Sequence, residues 1–226
     1  MKISPTLTEV KEIAKTGKYD ILPVSCEILS DFITPIEAMR ILQNVSTHCY
    51  LLESAQANEA WGRYTFLGYD PKLEINCIDG HMKLGKLSVE TENPSEYIRQ
   101  ILSEYKSPKF DYLPSFTGGL VGYFSYDYLG YKEKSIRGKA RDTEDFKDVD
   151  LMLFDKVIAF DNLCQKIILI ANMSLDAPET GYNKAIVELK QLRELLMHGE
   201  KKQNMGGKLL GEVTPLFDKE QYCEMV

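Results

Sequence analysis

Residues 72–87, KLEINCIDGHMKLGKL, set one short run on each side of Asp79-Gly80. Asp-Gly between two such runs is a two-residue hairpin signal, because both turn positions need a positive φ that these residues tolerate. A hairpin joins antiparallel strands, so 72–78 and 81–87 read as sheet neighbours. The pattern continues outward on both sides. Upstream, 48–54 (HCYLLES) and 61–67 (WGRYTFL) read as strands joined by the polar Gln56-Ala57-Asn58-Glu59 connection. Residues 20–28 (DILPVSCEI) read as a strand near a sheet edge, because Pro23 has no N–H to give a neighbour. Downstream, 116–126 (FTGGLVGYFSY), 151–160 and 163–171 read as strands, the last two around a turn at Asp161-Asn162.

Helices frame these strands. Thr6 with Glu9 fits a capping box, and Gly17 is placed to stop that helix. Thr34-Pro35-Ile36-Glu37 supplies an N-cap, a first-turn proline and an acidic third position. A third helix should start near Asn93-Pro94-Ser95-Glu96 and reach about Tyr105. A fourth covers 180–197, with Tyr182, Ile186, Leu189, Arg193 and Leu196 along one stripe and Gly199 as its stop. Strands dominate the middle and hairpin signals recur, which predicts an α+β fold, mainly antiparallel sheet with helices packed on one face. No strand–helix alternation supports a doubly wound parallel sheet.

The ends of the pattern suggest a domain division. Residues 1–198 read as one domain. Residues 199–213 (GEKKQNMGGKLLGEV) are charged, glycine-bearing and aperiodic, so they read as a linker. Residues 214–226 hold a short helix capped by Asp218, marginal in water by itself. Residues 130–148 are charge-rich and read as a surface loop. Asp142, Glu144, Asp145, Asp148 and Asp150 form an acidic run there, read as solvated.

Composition excludes several functions. The chain has 226 residues, 44% hydrophobic content and a formal net charge of -7. That balance argues against a nucleic-acid partner, which would require a basic face. No apolar run is long enough to cross a membrane, and Met1-Lys2-Ile3-Ser4-Pro5 turns polar at once, without a secretory h-region. Five scattered cysteines without a CxxC pair fit reduced thiols and a cytoplasmic location. His48, His81 and His198 share no metal-ligand spacing.

Gly118-Gly119-Leu120-Val121-Gly122 invites a phosphate-loop reading, but Tyr123-Phe124-Ser125-Tyr126 follows as strand rather than helix. The glycines are better explained by a bulge or a close backbone approach. The chemistry-bearing stretch is Leu51-Leu52-Glu53-Ser54 with Arg63. A carboxylate at a strand end can meet a ligand ammonium, a hydroxyl can donate and accept, and a guanidinium can grip a carboxylate with two parallel bonds. Together they would suit an amino acid. Alternation on a strand sends Glu53 and Ser54 to opposite faces, so they share a site only at a strand end or bulge. The plain alternative is a surface Glu53–Arg63 ion pair, with Ser54 as a turn former. No motif in the chain assigns a catalytic residue.

Four blocks, taken in order, resemble the N-terminal region of the large subunit (component I) of anthranilate synthase. They are YDILPVSCEILSDFITPIEAM, YLLESAQANEAWGRYTFLGYDP, FTGGLVGYFSYD and DLMLFDKVIAFDN, within about residues 18–172. The resemblance implies half of a larger α/β/β/α chorismate-utilising architecture, with 214–226 as the opening helix of a separate catalytic domain. It implies a parent enzyme that makes anthranilate and pyruvate from chorismate, using Mg²⁺ and ammonia. Ammonia would come from solution or from a glutamine amidotransferase subunit (component II). It implies feedback inhibition by L-tryptophan, with Glu53, Ser54 and Arg63 lining the inhibitor site. Catalytic and Mg²⁺ residues would lie outside this chain, leaving it inactive alone. The large subunit of aminodeoxychorismate synthase and a non-catalytic amino-acid-binding module are the competing readings.

Overall fold

The computed structural model describes residues 2–53, 62–133, 135–136, 146–203 and 206–226. The fold is α+β, built on two antiparallel sheets. The first sheet contains β1 (Ile3–Ser4), β2 (Ile21–Leu29), β3 (Cys49–Leu52) and β4 (Tyr64–Tyr69). The second contains β5 (Leu73–Ile78), β6 (His81–Leu84), β7 (Leu87–Glu90), β8 (Gly119–Phe124) and β9 (Val149–Phe154). The chain then returns to the first sheet as β10 (Lys156–Asp161) and β11 (Lys166–Ser174). Strand orders are β1-β2-β11-β10-β4-β3 and β7-β6-β5-β9-β8. Because β4 and β10 are direct neighbours, the whole second sheet is inserted between two paired strands of the first.

Helices α1 (Leu7–Lys15), α2 (Pro35–Val45) and α4 (Pro178–His198) cover one face of the first sheet. Thr6 and Thr34 cap the first two through reciprocal boxes with Glu9 and Glu37. Leu22, Val24, Leu67, Ile158, Leu169 and Leu189 meet in the resulting core. On the opposite face, Phe110, Leu113 and Phe116 lie over Val157, Ala159, Ile168 and Ile170. The second sheet has its own core, in which Ile98 of α3 (Pro94–Ser103) packs with Ile75, Cys77, Met82 and Leu151.

The Asp79-Gly80 hairpin forms with φ of 49° and 83°, as that turn requires. Pro23 pairs with Asn172 on one side and lies beyond the short β1 pairing on the other, so the missing N–H costs no ladder bond there. Gly122 explains the glycine run. Its φ is 152°, and a Cβ there would stand 1.9 Å from the Asp150 carbonyl oxygen of the neighbouring strand.

Several boundaries differ from expectation. The apolar stretch 151–160 is not one strand. It breaks at Asp155, whose carbonyl accepts from the Asn172 backbone N–H (2.8 Å) and from Asn172 Nδ2 (3.0 Å). Phe154 therefore pairs with Gly119 in the second sheet, while Lys156 pairs with Ala171 in the first. Residues 81–87 hold the whole of β6, a turn at Gly85-Lys86 and the first residue of β7. The later turn falls after Asp161, and β11 starts at Lys166. Tyr126 belongs to a 3-10 helix, Tyr126–Tyr131, rather than to β8. On α4 the buried stripe is Tyr182, Ala185, Leu189, Leu192 and Leu196, with Ile186 and Arg193 at its margins.

The acidic run is also partly structural. Asp148 Oδ2 accepts from the Asp79 N–H (2.8 Å) and from Tyr131 Oη (2.7 Å). Tyr131 Oη in turn accepts from the Gly80 N–H at 2.7 Å. This network holds the 3-10 helix against the hairpin turn. Asp142, Glu144 and Asp145 lie outside the described residues. After α4, Lys202 exchanges bonds with Arg40, and Asn44 Nδ2 donates to the Glu200 carbonyl, so the chain is held along α2 before the exposed 206–226 segment begins. Helix α5 (Lys219–Met225) is capped by Asp218 and exposed throughout.

Candidate functional site

Glu53 follows the end of β3, and Arg63 precedes the start of β4. The β3–β4 register runs Cys49↔Tyr69 to Leu52↔Phe66. One further step along that register sets Glu53 across from Thr65. Glu53 is exposed and is the last described residue before the connection. Ser54, the second candidate, lies outside the described residues, as does Trp61.

Arg63 stands just before β4, and its partner is Asp161 rather than Glu53. Arg63 Nε donates to Asp161 Oδ1 at 3.1 Å, and Nη2 donates to Oδ2 at 2.7 Å. The Asp161 side chain is fully buried, whereas Arg63 keeps 35% of its surface. Asp161 Oδ1 also accepts from the Leu163 and Cys164 backbone N–H groups, at 3.2 and 3.1 Å. That geometry shapes the turn after β10. The Asn162 backbone N–H donates to the Arg63 carbonyl at 2.9 Å, tying the turn to β4.

Burial pushes the Asp161 carboxyl up, but the Arg63 hydrogen bond and the Cys164 N–H outweigh it and hold it down at about 2. The same hydrogen bond pushes the Arg63 guanidinium up from its ordinary value. The Nε–Nη2 edge of Arg63 is thus committed to the protein, and a ligand carboxylate would meet this residue through Nη1. Arg63 also lies 4.8 Å above the Tyr64 ring, which restricts where that group can point.

Thr65 belongs to the same corner. It is 1% exposed, and its hydroxyl accepts from Asn162 Nδ2 at 3.4 Å. The only hint in the sequence is a hydroxyl residue inside the apolar run YTFLGY. Asp161 carried less warning still, since it reads as a turn former and its partner lies 98 residues away.

A sequence model of the family described as chorismate binding enzyme matches residues 47–226, from just before β3 through the whole corner. The chain belongs to that family. Among its relatives, anthranilate synthase component 1 of Acetivibrio thermocellus is 31% identical over 240 residues, covering 98% of this chain and 47% of the relative. Anthranilate synthase component 1 of Pseudomonas aeruginosa is 36% identical over 196 residues, covering 83% and 39%. A crystal structure of anthranilate synthase component I from Streptococcus pneumoniae TIGR4 aligns with a TM-score of 0.48 at 25% identity, covering 74% of this chain and 36% of that one. The chain spans less than half the length of these relatives.

No three His, Cys, Asp or Glu side chains among the described residues are placed to hold an ion. The three histidines each pair with a separate carboxylate: Glu74, Glu90 and Glu194. Cys26 and Cys77 are buried and Cys49 is half-buried, whereas Cys164 and Cys223 are exposed. No described helix is long and apolar enough to cross a membrane.

Proposed function

We propose that the chain is the N-terminal, tryptophan-sensing portion of an anthranilate synthase component I. The observation that carries this is the family match over residues 47–226, joined with relatives named anthranilate synthase component 1. The complete polypeptide would convert chorismate and ammonia to anthranilate and pyruvate in the cytoplasm. Its Mg²⁺ ligands and catalytic groups would lie outside these residues. An amidotransferase subunit would deliver ammonia from glutamine.

In this reading the β3–β4 corner holds the inhibitor. Glu53 meets the tryptophan ammonium, Ser54 adds a hydroxyl contact, and Arg63 Nη1 faces the carboxylate end. The separate catalytic domain would complete the pocket. Inhibition then follows if tryptophan binds one arrangement of the two parts better than the other. The corner suits this role because Asp161 fixes Arg63 while Glu53 sits at a strand end, where a small shift changes its reach.

The test is anthranilate fluorescence from the complete polypeptide, given chorismate, ammonia and Mg²⁺, with and without tryptophan. Product that disappears with tryptophan is expected. The 226-residue chain alone should give none. Glu53→Gln and Ser54→Phe should each raise the half-inhibiting tryptophan concentration by about tenfold or more, roughly the loss of one charge-assisted or well-packed contact. Unchanged inhibition in both variants would remove the corner from the inhibitor site. Absence of anthranilate from the complete polypeptide would favour aminodeoxychorismate synthesis or a binding module.

A further inference from the structure

Arg63 is held twice from the end of β10, a strand inside its sheet. β10 pairs with β4 on one side and β11 on the other, which sets Asp161 opposite both Tyr64 and Lys166. Groups carried on such a strand are held more precisely than groups on a loop. The Asp161 carboxylate takes Arg63 Nε–H at 3.1 Å and one Nη2–H at 2.7 Å. Arg63 Nη2 also donates to Cys164 Sγ at 3.7 Å. Asn162 holds the backbone: its N–H donates to the Arg63 carbonyl at 2.9 Å, and its Nδ2 donates to the Gly62 carbonyl at 3.4 Å. Among the described residues, the N–H groups on Nη1 have no acceptor. Glu53 is the contrast. It is exposed just past the end of β3, and no described residue bonds to its carboxylate.

Burial decides what the fixed half of the corner can do. The Asp161 side chain is 0% exposed, whereas 35% of the Arg63 side chain stays open. A ligand can therefore reach Arg63 but not Asp161. With the fork edge taken, an incoming carboxylate meets Nη1 end-on instead of through the two-bond grip of a free guanidinium. Asp161 acts on that contact in two opposing ways. It offsets part of the positive charge, and it removes the freedom that Arg63 would otherwise lose on binding. A side chain ordered in advance is worth about two- to tenfold in affinity. The charge effect is smaller, because water screens a group this open.

We propose that Asp161 is a positioning residue, which acts through Arg63 to make the corner select ligands with a free α-carboxylate. This rests on the reading of the corner as the tryptophan site. It adds the residue that sets the selection and the class that is refused, amides with the same side chain.

Anthranilate formation by the complete polypeptide tests this, with each rate taken relative to the same variant's uninhibited rate. The probes are L-tryptophan and L-tryptophanamide, which keeps the ammonium and the indole but has no carboxylate. The unmodified polypeptide should need at least about tenfold more amide for half inhibition. Asp161→Asn should raise the half-inhibiting L-tryptophan concentration by about three- to tenfold and leave that of the amide in place, so the ratio narrows. Arg63→Lys should narrow it as well, because an ammonium offers no planar edge for Asp161 to hold. Asp161→Asn added to Arg63→Lys should then change nothing more. If Asp161→Asn fails to fold, Asp161→Glu, which keeps the charge but displaces the guanidinium, carries the same expectation. An amide as potent as tryptophan on the unmodified polypeptide overturns the proposal. So does an Asp161 variant that weakens both probes alike, since that is what a purely structural role would give. If Glu53→Gln relaxes inhibition while the Asp161 variants keep the ratio, the corner stands as the inhibitor site and only this inference falls. If no variant of the corner changes inhibition, the reading of the corner falls and takes the inference with it.

Discussion

Asp161 gathers two side-chain and two backbone hydrogen bonds onto one buried carboxylate, and the β3–β4 corner depends on it. Its folded pKa of about 2 is depressed from the ordinary aspartate value of 3.8. A depressed carboxyl contributes stability that is present above the unfolded pKa and lost as pH falls through the folded one. The contribution should therefore fade between pH 4 and 2, by about 1–2 kcal/mol after allowing for the half-open Arg63 side. Asp161→Asn should lower stability at pH 7 by about 2–3 kcal/mol, because it leaves Arg63 without its anion and replaces Oδ2, the acceptor of Arg63 Nη2, with an N–H donor, while the remaining amide oxygen can still accept from the Leu163 and Cys164 N–H groups. Urea unfolding at pH 7 and pH 3 measures both. A pH-independent loss of stability would show that packing, not charge, is what Asp161 supplies. The positions of Glu53 and Arg63 beside strand ends were legible in the sequence. The Arg63–Asp161 pair was not, because Asp161 lies on β10 and proximity across the sheet leaves no local trace.

At the scale of the element, the helices were the most legible. Thr6–Glu9 and Thr34–Glu37 are local devices whose partners lie three residues apart, so sequence and structure share the same information. The strand break at Asp155 is the opposite case. DLMLFDKVIAF is apolar on both sides of Asp155, and only Asn172, from another strand, decides that the chain changes sheets there. The α4 stripe was legible at Tyr182, Leu189 and Leu196, while Ala185 and Leu192 are buried where Ile186 and Arg193 were expected. Gly122 falls between these cases. Its sequence context indicated a close approach, and the structure supplies the neighbour, the Asp150 carbonyl on β9. Gly122→Ala should cost about 3 kcal/mol or more, because the new methyl meets backbone on a strand that cannot retreat without breaking its ladder. Thermal unfolding would check it. A change under about 0.5 kcal/mol would mean that β8 can slide off β9.

For the whole molecule, composition and hairpin signals were enough to reach an antiparallel α+β class. They were not enough to separate one sheet from two, because alternation on a strand is the same whichever sheet it joins. Nor does a sequence announce that Leu209, Leu210, Leu216 and Phe217 will be exposed beyond α4; an apolar side chain reads as buried until its neighbours are known. The nested topology is the larger surprise, and it bears on how the chain reaches this state. Joining β5 to β6 closes a two-residue turn. Joining β4 to β10 must wait for everything between them to be gathered in. Distant pairings are slow because closure entropy has to be met before contacts repay it. The inner sheet should therefore organise first and act as a clasp, bringing Tyr69 and Lys156 side by side before the outer sheet can close. Pulse-labelled hydrogen exchange during refolding should protect the Cys77 and Met82 amides ahead of those of Phe66 and Ala159. Simultaneous protection would mean that the two sheets nucleate together, and that the middle of the molecule is not the last part to settle.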